Sequence, residues 1–237
     1  MVNFLIKKYA ALNLPDGKYA VMTDWFILAL QTGFLRMEWS WDATKLATTK
    51  SFQCNIDGSS SAFIQSDFQF RVPNGRRIVH YPSLHIETVN ITWSFQKNLN
   101  NDQTIPFVED VLCHNLCGVS AVLRIWRRFE RLVLSSVAPI AVFVHIKQAT
   151  PQYITDIHIT QLLQEAATGA HNITCEKDLA RFTAHSLRVG TCVLLHSQGS
   201  TAELIKLRLR WKSDAFMCYL HNIDALAEKH RDVIRNA

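Results

Sequence analysis

Between Tyr19 and Leu35 the chain reads YAVMTDWFILALQTGFL, a stretch with one charged residue, Asp24, and no helix breaker before Gly33. A helix that is apolar on every side cannot face water, so this run predicts a buried helix ending near Gly33 and wrapped by other elements. Such a centre needs a large chain to cover it. With 237 residues and 48% hydrophobic content, residues 1–237 are expected to form a single globular domain, with no repeat or low-complexity tract.

From Ser51 to His80, stretches such as SAFI and FQFRV between turn residues predict short strands or loops. The best strand is VNITWSFQ, in which Val89, Ile91, Trp93 and Phe95 alternate with Asn90, Thr92, Ser94 and Gln96. Lys97 then leads into NLNNDQ, a run of turn formers, and TIPFV resumes an extended pattern. Lys97 is therefore placed where a β-hairpin begins its turn.

The second half reads as mainly helical. VSAVLRIWRRFERLVL has Val122, Trp126, Phe129 and Val133 as an apolar stripe opposite Arg124, Arg127, Arg128 and Arg131. ITDIHITQLLQEAATGA predicts a helix capped by Thr155 or Asp156 and stopping near Gly169. AHSLRVGTCVLLHSQG predicts another that ends near Gly199. ELIKLRLRW and SDAFMCYLHNIDALAEKH supply two more, the last capped by Ser213 or Asp214. The expected class is α+β, mainly α-helical, with helices around one small antiparallel sheet.

Several function classes fall away. The longest uncharged apolar stretch, LVLSSVAPIAVFVHI, contains a proline and falls short of the ~18 residues of a membrane span. The first lysines follow the apolar residues instead of preceding them, unlike a secretory signal, so an intracellular protein is expected, nuclear in a eukaryote and cytoplasmic in a bacterium. Cysteines at 54, 113, 117, 175, 192 and 218 are too scattered for a disulfide scaffold. Cys113, His114 and Cys117 have no second ligand pair at zinc-finger spacing. The sequence has no Walker loop, dinucleotide fingerprint or paired-carboxylate metal site, so neither a cofactor nor a metal is expected. The sequons at Asn90 and Asn172 would matter only in a secreted protein.

The formal charge is +5, from 25 basic and 20 acidic residues, and the whole excess lies after Gly118. Clustered Lys and Arg suit a polyanion, although the total alone fits any soluble protein. Within this basic half, His185 and Arg188 lie three apart in AHSLRVG, sharing a helix face able to meet one phosphate. Downstream, RLRWKSDAFMCYLHN places Trp211 just before a capped helix and Tyr219 inside it.

The segment from His185 to Tyr219 resembles the tyrosine recombinase (phage-integrase-like) family, whose final helices carry His-x-x-Arg, then His or Trp, then Tyr. The form RWKSDAFMCY is most similar to the recombinases of Crypton-type eukaryotic mobile elements. FQKNLNNDQTIPF resembles the family's β-hairpin bearing a catalytic lysine, and QTGFLRMEW the loop bearing its first arginine and a following glutamate. Together these pieces cover about Trp25 to Asn222. One departs from the pattern T-G-x-R-x-x-E, because Thr32 and Gly33 align Leu35 with the arginine and leave Arg36 one residue late. On a helix one residue is ~100° of rotation.

The resemblance implies the tyrosine recombinase catalytic-domain fold and a site-specific recombinase or integrase that cleaves and rejoins double-stranded DNA. It implies a 3′-phosphotyrosyl intermediate, no metal or cofactor, and a homo-tetramer on DNA. A separate helical DNA-clamping domain usually comes first; it is expected to be absent here, since roughly 20 residues precede the first matched helix. The implied site is Arg36, Lys97, His185, Arg188, Trp211 and Tyr219.

These residue types suit the chemistry, which needs a nucleophile, an acid for the leaving group and fixed positive donors for the phosphoryl oxygens. Tyr219 would attack phosphorus, Arg188 and Arg36 would clamp the non-bridging oxygens, and Lys97 would protonate the departing 5′-oxygen. His185 would hold the phosphate or exchange a proton with Tyr219, while Trp211 would donate its indole N–H or pack the last helices. The run Lys206, Arg208, Arg210 and Lys212 and the arginine face from Arg124 to Arg131 are expected as backbone contacts or as solvated surface. Two alternatives stay open: a decayed or domesticated relative that binds DNA without cutting it, as Leu35 would suit, and a topoisomerase-like enzyme that rejoins the same strand.

Overall fold

The structure is a computed structural model describing residues 1–10, 15–34, 36–39, 62–78, 85–94, 102–145, 147 and 149–220, with only the backbone of residues 10, 36, 37 and 78. Its centre is the apolar run identified above. Helix α2, Lys18–Thr32, follows α1, Val2–Ala10, and buries residues on every side, including Val21, Trp25, Ile27 and Leu28. Gly33 stops α2 in the left-handed conformation (φ 57°), returning its N–H to Ala29 O at 2.8 Å. A Cβ there would lie 2.4 Å from Leu209 Cδ2, so close packing demands glycine as much as the backbone does. A short helix, α3, Arg36–Trp39, follows.

Strands β1 (Phe68–Arg71), β2 (Arg77–Ile78), β3 (Thr88–Trp93) and β4 (Gln103–Val108) form an antiparallel sheet in the order β2-β1-β3-β4. In β3, Val89, Ile91 and Trp93 are buried and their neighbours half-buried, as the period of two predicts. The β3–β4 hairpin runs from Thr88↔Val108 to Trp93↔Gln103 and closes with Asp102 N–H donating to Trp93 O. Phe95, Gln96 and Lys97 lie outside the described residues.

Helix α4, Gly118–Arg131, packs on α2. A second hairpin, β5 (Val142–His145) with β6 (Thr150–Tyr153), follows, so the expectation of one sheet is corrected to two. Strand β5 comes from the apolar stretch 132–146, whose Pro139 and serines rule out a continuous helix. Helices α5 (Asp156–His171), α6 (Glu176–Leu179), α7 (His185–Ser197) and α8 (Ala202–Leu209) complete the chain up to a 3-10 turn, Asp214–Tyr219. The chain thus mixes helices with small antiparallel sheets, as α+β predicts, and no described helix is long and apolar enough to cross a membrane.

Three expected details change. Val133 is no part of the α4 stripe, because the helix has ended and it sits at φ 50°, 89% exposed. Helix α5 ends at His171, two residues past Gly169, and the left-handed cap is Asn172 instead of the glycine, which lies within the helix where a Cβ would strike the Phe4 ring. The segment from Ser213 winds as a 3-10 turn through Tyr219, and nothing after Leu220 is described. The caps are Thr155 for α5 and Ser213 for that turn.

Candidate functional site

Helix α7 carries the first two site residues because it docks along α2. The buried Thr191 hydroxyl donates to Ala29 O across the interface, and this seats Arg188, one turn earlier, against the C-terminal end of α2. Arg188 Nη1 donates to Gly33 O at 2.6 Å and Nη2 donates to Leu209 O, so its guanidinium ties α2, α7 and α8 together. The carbonyls that end a helix lack intrahelical partners and carry partial negative charge, which suits a cation.

The other two come from the segment after α8. Trp211 N–H returns to Lys206 O, and the ring stacks on buried Phe216 at 5.0 Å and lies under the Arg188 guanidinium at 4.9 Å. Ser213 caps the 3-10 turn by accepting from Ala215 N–H, and the turn presents Tyr219, 37% exposed, 5.9 Å from Trp211. The Tyr219 hydroxyl lies 3.2 Å from His185 Nε2, with the two rings edge to face. His185, Arg188, Trp211 and Tyr219 therefore form one cluster open to solvent on the Tyr219 side.

Charge within the cluster is uneven. Partial desolvation, and then the positive charge of Arg188, hold His185 below its ordinary value, so its ring is neutral at neutral pH. Burial, and then the like charge of Arg210, press Arg188 down to about 10, with Glu38 and Tyr219 opposing; it remains a cation at neutral pH. A neutral imidazole beside a hydroxyl is a proton acceptor, and a buried cation one turn along the same helix adds a positive potential that favours an anion nearby. The arrangement can activate a phenol next to an anion.

Glu38, on α3, extends the cluster inward. Its carboxylate accepts from Trp93 Nε1 at 3.2 Å and from Arg210 Nη2 at 3.2 and 2.9 Å. It thereby links α3, the turn end of the β3–β4 ladder and the residue before Trp211. The Arg36 backbone begins α3, two residues from Glu38; its side chain, Leu35 and Lys97 are outside the described residues. The strand that leads to Lys97 ends at Trp93, within this cluster.

Two members of the basic runs, Arg128 and Arg210, are corrected, while Arg127, Arg131 and Lys212 lie exposed. Arg210 is buried between Glu38, Thr32 O and the Trp93 ring, with its guanidinium 4.0 Å above that ring, and faces no solvent. Arg208 donates to Pro106 O and stacks on Phe107, and Lys206 pairs with Asp214 at 2.9 Å. On α4, Arg128 is buried and shares Asp24 with Arg124, at 3.0 and 2.6 Å, while Arg131 pairs with Asp16. Carboxylates from the first half of the chain neutralise much of what reads in sequence as bare cationic surface. Cys117, in the CHNLC run, uses its buried sulfur to accept from Asp110 and Ser120 N–H at the start of α4.

Sequence reasoning named Glu38 only as part of a motif and Arg210 only as a surface cation, and missed their pairing. No local signal reveals it, since 172 residues separate the two. The sequence matches no protein-family model and no curated protein.

Proposed function

We propose that the chain is a tyrosine recombinase-type enzyme that cuts and rejoins double-stranded DNA. The observation that carries this reading is the His185–Tyr219 contact of 3.2 Å beside the Arg188 guanidinium. The Tyr219 oxygen attacks a phosphodiester, its proton passes to His185, and the bond from phosphorus to the 5′-oxygen breaks. The departing oxygen takes a proton from a general acid, the role assigned to Lys97. A 5′-hydroxyl from another strand reverses the sequence and frees Tyr219. Arg188, with Arg36 from the loop after α2, holds the non-bridging oxygens, and Trp211 fixes the Arg188 plane by stacking. A tetramer on DNA brings the exchanging strands together.

Nicked duplexes carrying the sequences that flank the protein's own gene trap the covalent step, because the short 5′-product diffuses away. The expected result is a protein–DNA adduct that survives denaturation and vanishes in Tyr219→Phe. A second reading, DNA binding without cutting, draws on a specific feature: both terminal nitrogens of Arg188 already donate to main-chain carbonyls. Salt-sensitive binding with no adduct on the cognate site selects that reading.

A further inference from the structure

Arg188 and Arg210 grip the end of α2 from different elements. Arg188 donates to Gly33 O at 2.6 Å and Arg210 to Thr32 O at 3.1 Å, two consecutive carbonyls at the helix C-terminus. Their counter-charges differ. Arg210 holds both oxygens of Glu38, and each partner is almost fully buried, with side chains 1% and 2% exposed. Arg188 makes no ion pair among the described residues; its partners are two neutral carbonyls and the Trp211 ring. Glu38 nonetheless acts on Arg188, since its negative charge opposes the burial and the Arg210 charge that hold Arg188 down. One carboxylate lies within electrostatic reach of two guanidinium groups and is bonded to one of them.

Arg210 occupies an awkward place. It follows the last residue of α8 in the left-handed conformation, φ 57°, where glycine is the usual residue and a larger side chain costs roughly 1 kcal/mol. Helix termination therefore does not account for an arginine there.

We propose that Arg210 is a positioning residue that engages Glu38 and so leaves Arg188 with an uncompensated charge for an anion beside Tyr219. That the anion is a DNA phosphodiester rests on the proposed function. The physical ground is competition in a low-dielectric site. A carboxylate bonded to Arg188 would cancel its charge, whereas one bonded to Arg210 leaves the buried Arg188 cation to act electrostatically on an anion beside Tyr219.

The test compares Arg210→Gly, which suits the backbone at φ 57°, with Arg210→Gly/Glu38→Gln. Crystal structures report where residue 38 points, and single-turnover adduct formation on nicked duplex reports Arg188. In Arg210→Gly, Glu38 turns to ion-pair with Arg188 and adduct formation slows by about 10- to 100-fold, the scale of losing one fixed charge donor. In the double variant most of that loss is recovered, although the buried ion pair is still missing. A purely structural role predicts the opposite, with the double variant no faster than the single. That result, or a Glu38 that stays away from Arg188 in Arg210→Gly, overturns the inference. Should Arg210→Gly fail to fold, Arg210→Lys with and without Glu38→Gln asks the same question, because an ammonium lacks the guanidinium fork that serves Thr32 O and Glu38 together. A wild-type protein that forms no adduct sinks the proposed function, while the orientation of Glu38 still decides this inference.

Discussion

His185 Nε2 and the Tyr219 hydroxyl lie 3.2 Å apart across 34 residues of chain, one at the start of α7 and the other at the end of the last 3-10 turn. The imidazole is partly desolvated and sits near Arg188, so its protonation falls below the ordinary histidine range near 6.5. If it accepts the Tyr219 proton, adduct formation should be insensitive to pH above about 6.5 and decline on acidification below it. His185→Gln should lower the plateau and abolish the acid limb. An unchanged limb in that variant would assign it to another group.

Asp24 is buried between Arg124 and Arg128. Asp24→Asn keeps the shape but removes the nearer carboxylate of buried Arg128, leaving Asp16 at 3.5 Å, an expected loss of about 2 kcal/mol, or a fall in Tm of roughly 4–8 °C. Arg128→Met added to Asp24→Asn should recover part of it. Urea denaturation of the three proteins measures both steps.

Gly33→Ala meets two obstacles, a left-handed φ of 57° and a Cβ position 2.4 Å from Leu209 Cδ2. The expected cost is about 2 kcal/mol, roughly half from the backbone and the remainder from displacing Leu209. Because Gly33 O also receives Arg188, adduct formation should fall by more than stability alone accounts for. Gly75, at φ 73° with open space around it, is the control: Gly75→Ala should cost only the backbone part.

His158 helps to cap α5. Its Nδ1 accepts from Thr155 N–H at 3.2 Å, while its main-chain N–H donates to the Thr155 hydroxyl. Burial, and then the charge of Lys18, push it down to about 4, with Asp156 opposing. The folded protein thus resists a proton that the unfolded chain takes up near 6.5. Its contribution is complete above about 6.5 and is lost as pH falls towards about 4, on the order of 3 kcal/mol at most. His158→Gln should flatten that part of the stability profile, measured by denaturant midpoints from pH 7 to pH 4.

Local patterns carried much of the fold. The α2 run, the alternation in β3 and the Gly199 stop of α7 follow from periodicity and turn chemistry, which act over a few residues. Helix α5 ends near Gly169, but Asn172 takes the left-handed cap, because Gly169 serves close packing against Phe4, a use that leaves no local mark. The extra β5–β6 hairpin went unread because a short apolar run around a proline has no clear period.

The spacing of His185, Arg188, Trp211 and Tyr219 was legible because one helix, one turn and a cap separate them. By itself the sequence determined which residue types stand at those intervals and that a buried helix lies at the centre. Which cations stay unpaired depends on packing between distant parts of the chain. Arg128 and Arg210 read as members of basic runs, yet Asp24 and Glu38, more than a hundred residues away, bury and neutralise them. The reason is that a charge's effect depends on its distance from other charges and on the dielectric between them. Both are properties of packing that no local pattern records.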